Sequence, residues 1–143
     1  MSEEIKYLEI EPDPGQFEKS KELAEKISAV LDDKKAIGIK IIETSKQTII
    51  ADYFVIATGT SSTHIKSLAG EIEFQLKENK ENESPGFAPS RISGHESADW
   101  IILDYDSVLV HIFNSEARDY YKLEKLWGDG ESVDVDELLK LDN

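Results

Sequence analysis

The sequence predicts a single α/β domain, a mixed β-sheet flanked by helices. Three observations support this fold class. Strand-like and helix-like segments alternate along the chain, one strand-like run is apolar throughout, and two β-rich runs in the last third are close enough to form a hairpin. A chain of 143 residues is long enough for about one domain with its own hydrophobic core.

Two helices are predicted from apolar residues that recur every three or four positions. The first follows the helix-start signal Asp13-Pro14-Gly15, and the second follows Gly59-Thr60-Ser61-Ser62, which offers capping side chains. The second helix fades into a polar stretch ending in Ser84-Pro85-Gly86, which is predicted to be a loop. The stripes expected to face the core are Leu23, Ala24, Ile27, Val30 and Leu31 in the first helix and Ile65, Leu68, Ala69, Ile72 and Leu76 in the second.

Four strands are predicted, at residues 36–42, 51–58, 100–105 and 108–113. The second is apolar without interruption from Phe54 to Ala57, so we expect it to be covered on both faces. A tight turn near Asp106-Ser107 joins the last two, and side chains then alternate between two faces. One face is a plain core surface made of Ile101, Leu103, Tyr105, Val108, Val110 and Ile112. The other is apolar apart from one acid and one histidine and has Trp100, Ile102, Asp104, Leu109, His111 and Phe113.

After the hairpin, Asn114-Ser115 is expected to cap a final helix that ends at Gly128. Residues 120–127 hold two tyrosines, two leucines and a tryptophan, which is more apolar surface than one buried stripe requires. Aromatic residues with a nearby arginine, here Arg118, are typical of protein–protein hot spots. The sequence is equally compatible with the alternative that all of these side chains belong to the core.

The net charge of −14 is concentrated at the two ends of the chain. Residues 1–16 carry five acidic and one basic side chain, 128–143 carry six and one, and 17–127 carry 19 and 14. We therefore divide the chain into an acidic N-terminal leader (1–16), a domain (17–127) and an acidic C-terminal tail (128–143). The favoured role of the ends is solvation, although 135–141 can form one or two amphipathic turns against the body. The charge argues against direct binding to a nucleic-acid backbone.

Composition excludes several classes of protein. Without cysteine there is no disulfide framework, no thiolate zinc site and no cysteine nucleophile. The first six residues are acidic and lack an apolar core, which argues against a signal peptide, and no apolar run approaches the ~20 residues of a membrane span. These features predict a cytoplasmic protein.

The candidate catalytic groups are few. Asp104 and His111 can be neighbours on one hairpin face, but no serine nucleophile or second histidine accompanies them, so a self-satisfied polar pair is favoured. His64 and His95 have no identifiable partners and are interpreted as surface residues.

The enzymatic alternative is a metal-dependent nucleotide enzyme that uses Asp104 and Asp106 with Gly59-Thr60-Ser61. Gly59 precedes Asp104 by 45 residues, too far for the nucleotidyltransferase pattern, and neither the Walker nor the dinucleotide motif is present. The residues therefore favour a binding module over an enzyme and predict neither metal nor cofactor. A third possibility is an oligomerisation module whose exposed face pairs with itself.

Three ordered blocks resemble the Iojap/ribosomal silencing factor family and, with the helix before them, span about residues 17–128. Where that family usually has Glu-Gly before the tryptophan strand and an Asp-Tyr-Gly-Asp turn, this chain has Ser93-Gly94 and Asp104-Tyr105-Asp106-Ser107. The blocks are Ala51-Asp52-Tyr53-Phe54-Val55-Ile56-Ala57-Thr58-Gly59-Thr60-Ser61, then Trp100-Ile101-Ile102-Leu103-Asp104-Tyr105 with Val110-His111-Ile112-Phe113, and Arg118-Asp119-Tyr120-Tyr121-Lys122-Leu123-Glu124-Lys125-Leu126-Trp127.

The resemblance implies a nucleotidyltransferase-like topology without the catalytic residues. It also implies binding to the large ribosomal subunit through its ribosomal protein number fourteen, on the intersubunit face. The bound factor would block joining of the small subunit, lower translation under nutrient limitation and aid large-subunit maturation, and the free protein would form homodimers. The residues expected to form or support the docking surface are Trp100, Asp104, His111, Arg118, Tyr120, Leu123, Leu126 and Trp127.

Overall fold

The computed structural model describes residues 14–77, 88–126 and 132–134. Within these ranges six strands form one sheet in the order β3-β4-β5-β2-β1-β6. The elements in chain order are α1 (Pro14–Asp33), β1 (Ile37–Glu43), β2 (Tyr53–Thr58), α2 (Ser62–Lys77), β3 (Arg91–Ser93), β4 (Trp100–Asp104), β5 (Val108–Phe113), α3 (Ser115–Tyr121), α4 (Leu123–Leu126) and β6 (Ser132–Asp134). Because β2 pairs with β5 in parallel and the other pairs are antiparallel, the sheet is mixed and the predicted fold class is confirmed.

Helices α1 and α2 pack on one face of the sheet. All ten residues of the two predicted stripes are buried there, together with the six residues assigned to the core face of the hairpin. The hairpin turn lies where it is predicted, since the amide of Tyr105 donates to the carbonyl of Val108 over 2.9 Å.

The opposite face of the sheet has a second, smaller cluster. It contains Phe54 and Ile56 from β2 and Leu123 from α4, with Trp100 and Leu109 packed against it at partial burial. Every residue of β2 is therefore buried, and the prediction that this strand is covered on both faces is confirmed.

The final helix differs from the prediction. A single helix was expected to continue to Gly128, but α3 ends at Tyr121 because Lys122 adopts a left-handed conformation with φ 48°. The amide of Lys122 donates to the carbonyl of Arg118, and the chain then turns into the short helix α4. The break redirects Leu123 into the second cluster, where it is buried.

Two short edge strands were not predicted. Strand β3 pairs with β4, and β6 pairs with β1 although it lies inside the segment interpreted as an acidic tail. Residues 1–13 of the leader, residues 78–86 of the predicted loop, Trp127 and the amphipathic stretch 135–141 lie outside the described residues, whereas residues 14–16 of the leader already belong to α1. Among the helices that the structure describes, none has the length and apolarity to cross a membrane.

Candidate functional site

An aromatic patch lies where the β4–β5 hairpin meets α3, and we define it as Trp100, Tyr120 and Tyr121. Trp100 pairs with Phe113 across the hairpin, and their rings stack with centroids 4.7 Å apart. The ring of Trp100 also lies 4.7 Å from that of Tyr121 on α3. The indole is thus held between the sheet and α3, at partial burial.

The two tyrosines are the exposed members of the patch. Tyr120 is 80% exposed and Tyr121 is 53% exposed, with their rings 5.0 Å apart in an edge-to-face arrangement. Exposed aromatic side chains anchored on a rigid neighbour are typical of protein–protein contact surfaces. Tyr121 was not among the residues assigned to the site from the sequence. The signal for it was its position beside Tyr120, but only its exposure in the folded protein distinguishes it from a core residue.

His111 supports this patch from below. It is only 5% exposed, and its Nδ1 accepts a hydrogen bond of 3.1 Å from the indole Nε1 of Trp100. Burial lowers the pKa of His111 to about 4, so the ring is neutral at pH 7. Since Nδ1 accepts, the proton lies on Nε2, which is buried and finds no hydrogen-bond partner among the described residues.

The expected pairing of Asp104 with His111 is not formed. The two residues share a face, but the register places Asp104 opposite Leu109 and His111 opposite Ile102. Asp104 instead accepts the amide of Asp106 over 2.8 Å and so stabilises the hairpin turn, while His111 bonds to Trp100. Diagonal neighbours on an antiparallel pair are about 7–8 Å apart, which leaves each side chain free to find a nearer partner.

Arg118 is an internal brace for α3 and α4. Its Nε and Nη2 donate to the two carboxylate oxygens of Glu124 over 2.7 and 3.1 Å, and its Nη1 donates to the hydroxyl of Thr58 over 2.8 Å. The hydrogen bond from Arg118 lowers the pKa of Glu124. Gly38, in a bulge of β1 with φ +58°, makes room for the guanidinium, since a Cβ there would lie 2.8 Å from Nη1. Arg118 and the buried Leu123 therefore support the site from inside and contribute little exposed surface to it.

The side chains of Leu126 and Trp127, two further predicted site residues, lie outside the described part of the structure. Leu126 ends α4, but its side-chain environment is not among the described features, and Trp127 lies outside the described residues.

The residues of the enzymatic alternative lie at opposite ends of the sheet. The amide of Asp52, at the start of β2, donates to the carbonyl of Ser107 beside the Asp104–Asp106 turn, whereas Gly59, after the end of β2, donates to Phe113. A six-residue strand separates the two places by about 20 Å. In the part of the chain that is described, no group of three or more histidine and acidic side chains is placed to hold a metal ion.

His64 is not the partnerless surface residue expected from the sequence. Its Nδ1 accepts the amide of Thr60 over 2.9 Å, so its Nε2 donates to the carbonyl of Lys34 at 2.9 Å. The ring therefore joins the start of α2 to the end of α1, a contact that spacing along the chain does not reveal. His95 is exposed, as predicted.

Comparison with known families gives a match over most of the chain. The model of a family described as "Ribosomal silencing factor during starvation" matches residues 17–143. A Bacillus subtilis protein named "Ribosomal silencing factor RsfS" is 37% identical over 109 residues, which cover 76% of this chain and 87% of the relative. A mouse protein named "Mitochondrial assembly of ribosomal large subunit protein 1" is 29% identical over 118 residues, 82% of this chain and 50% of that protein.

Solved structures agree with these matches. A crystal structure of a Chromobacterium violaceum protein superposes with a TM-score of 0.69 at 34% identity, covering 76% of this chain and 85% of that one. A Bacillus halodurans protein gives a TM-score of 0.66 at 31% identity, covering 79% and 97%. The blocks that resemble the family in sequence form β2, the β4–β5 hairpin and the α3–α4 segment, which build the sheet centre and the aromatic patch. This chain therefore belongs to the ribosomal silencing factor family.

Proposed function

We propose that this protein docks its aromatic patch on ribosomal protein number fourteen of the large ribosomal subunit and thereby prevents the small subunit from joining. Membership of the ribosomal silencing factor family supports the class of partner. The single structural observation that carries the proposal is the exposure of Tyr120 and Tyr121 on an indole fixed by the sheet. Aromatic anchors of this kind contribute most of the affinity in many interfaces.

A protein that acts by occlusion needs affinity and position rather than turnover. The proposed role is therefore that of a cytoplasmic translation repressor under nutrient limitation, not an enzyme, with no cofactor. The separation of Gly59 from the Asp104–Asp106 turn supports this reading, because it removes the one composite site that the enzymatic alternative requires.

Electrostatics favour a basic protein surface over bare RNA. The chain carries a net charge of −14, which would steer it towards a positively charged protein and away from phosphates. We do not expect direct contact with the nucleic-acid backbone.

Aid to large-subunit maturation is a second candidate function. It is favoured by the mouse relative, whose name refers to assembly of the large subunit of mitochondrial ribosomes. The same docking surface would serve both roles. A homodimer of the free protein would be a resting state in which the aromatic patch is used for self-association.

The test is subunit joining with purified components. Protein added to separated subunits should shift the sedimentation profile from joined particles to free subunits. The double variant Tyr120→Ala/Tyr121→Ala should stay folded but lose at least tenfold in affinity for the large subunit, equivalent to about 1.4 kcal/mol. Phe74→Ala is the matched control, because Phe74 is also 58% exposed but lies on α2, the helix that packs on the opposite face of the sheet.

Full binding and full inhibition of joining by a normally folded double tyrosine variant would exclude the patch as the docking surface. Normal joining in the presence of saturating wild-type protein would exclude occlusion. Binding to isolated ribosomal protein number fourteen, measured by calorimetry, separates this partner from any other component of the subunit.

A further inference from the structure

A cavity of about 640 Å³ opens between the first residues of β1 and the α3–α4 segment. It is distinct from the aromatic patch, and the proposed docking does not use it. On the sheet side it is lined by Ile37, Gly38 and Thr58, and on the helix side by Arg118, Lys122 and Lys125. Ile37 adds an apolar wall, since its side chain is 54% exposed.

The cavity carries an excess of positive charge. Its lining has the four cationic residues Lys40, Arg118, Lys122 and Lys125 against the two acidic residues Asp119 and Glu124. Glu124 is already engaged, because it accepts two hydrogen bonds from Arg118 and lies 3.5 Å from the Nζ of Lys40. Lys122 and Lys125 are exposed and form no ion pair with another described residue. In a chain of net charge −14, such a concentration of cations favours a ligand that carries carboxylates.

Strand β6 runs along β1 towards this cavity. Its antiparallel register pairs Ser132 with Ile42 and Asp134 with Lys40. The C-terminal end of β6 therefore points along β1 in the direction of Gly38 and Ile37, both of which line the cavity. Two further extended residues would span about 7 Å, which is enough to reach the level of the bulge at Gly38.

We propose that residues 135–143 of this chain bind in the cavity. The segment reads Val-Asp-Glu-Leu-Leu-Lys-Leu-Asp-Asn, so two carboxylates, Asp136 and Glu137, follow directly after the sheet and precede three leucines. The carboxylates pair with Lys122 and Lys125, and the leucines pack against Ile37 and the aliphatic stems of the lysines. The bound segment holds the α3–α4 break against β1 and so braces the support of the aromatic patch.

The test uses the absence of cysteine, which allows a spin label at one chosen position of the full chain. A label on Asn143→Cys should broaden the amide resonances of Gly38, Ser115 and Lys122 at least twofold relative to the reduced label. A label on Ser67→Cys is the control, because Ser67 is exposed on α2, the helix that packs on the other face of the sheet, and should leave these amides unchanged.

Charge reversal separates specific binding from mere proximity. Lys122→Glu/Lys125→Glu should abolish the broadening while the dispersed amide spectrum of the folded domain is kept, and adding Asp136→Lys/Glu137→Lys to that variant should restore the broadening. Broadening that is absent in the labelled wild-type sequence, or that survives the reversal of the two lysines, would overturn the proposal. Equal broadening in a mixture of enriched chains without the label and labelled chains without the isotope would overturn it too, because the occupant would then be a second copy of the chain.

Discussion

The indole Nε1 of Trp100 donates to Nδ1 of His111 over 3.1 Å, and this bond links the candidate docking surface to the protein interior. Because Nδ1 must remain unprotonated to accept, the bond holds the buried imidazole in its neutral form. Trp100 also packs against the rings of Phe113 and Tyr121. The orientation of the exposed patch therefore depends on His111, which is itself buried.

This arrangement predicts a specific loss of stability in mild acid. The pKa of His111 is lowered from 6.5 to about 4 in the folded protein, so the unfolded chain binds the extra proton between these values. The neutral, buried ring of His111 therefore costs the folded state no stability above pH 6.5. The free energy of unfolding declines as the pH falls from 6.5 towards 4. Between pH 7 and 5 the wild-type free energy of unfolding should fall by about 2 kcal/mol more than that of His111→Asn.

Urea unfolding at both pH values, followed by fluorescence, measures this difference. His95→Asn is the control, because His95 is exposed and its replacement should leave the wild-type pH dependence in place. An identical decline in wild type and His111→Asn would show that the buried histidine is not the group responsible.

The fork between Arg118 and Glu124 predicts a second effect on stability. Arg118→Lys keeps the charge but loses the two parallel hydrogen bonds, and it should lower the free energy of unfolding by about 1–2 kcal/mol. The side chains are only 14% and 26% exposed, so solvent replaces little of what is lost. Lys125→Gln, an exposed neighbour, should change stability by less than about 0.5 kcal/mol. Equal stabilities of Arg118→Lys and wild type would show that the paired hydrogen bonds to Glu124 do not stabilise the fold.

A pair of glycine replacements tests the packing of α2 on the sheet. A Cβ at Gly59 would lie 2.5 Å from Cγ1 of Ile65, whereas nothing lies within 4 Å of one at Gly70. Gly59→Ala should therefore destabilise by about 1–3 kcal/mol through overpacking, and Gly70→Ala in the helix should stabilise by about 0.5–1 kcal/mol. Thermal melting of the two variants should shift in opposite directions. A shift of the same sign in both would contradict the close approach at Gly59.

The N-cap of α3 gives a further prediction. Oδ1 of Asn114 accepts the amide of Ala117 over 2.7 Å, and Nδ2 donates to Asp99 over 3.0 Å. Asn114→Ala should cost about 1 kcal/mol and speed hydrogen exchange at the Ala117 amide, because that donor loses its partner. Asn114→Ser keeps a capping oxygen and should retain most of the protection. If exchange at Ala117 is unchanged in Asn114→Ala, the cap does not stabilise the start of this helix.

Features that are encoded by neighbouring residues could be predicted from the sequence. The stripes ending at Leu31 and Leu76, the buried run of β2 and the two-faced hairpin all follow from the periodicity of side chains, which is a local property. The family resemblance follows in the same way, because its blocks are contiguous segments.

Which of those residues are exposed, and which partners they find, depends instead on packing between distant segments. The three-residue strands β3 and β6 exist through pairing with β4 and β1, and such short segments carry no periodic signal of their own. The break at Lys122 and the separation of Asp104 from His111 likewise depend on contacts between distant parts of the chain. The contrast between buried Leu123 and exposed Tyr120 is the clearest case. Both lie in one aromatic-rich segment, and only packing against the sheet distinguishes them.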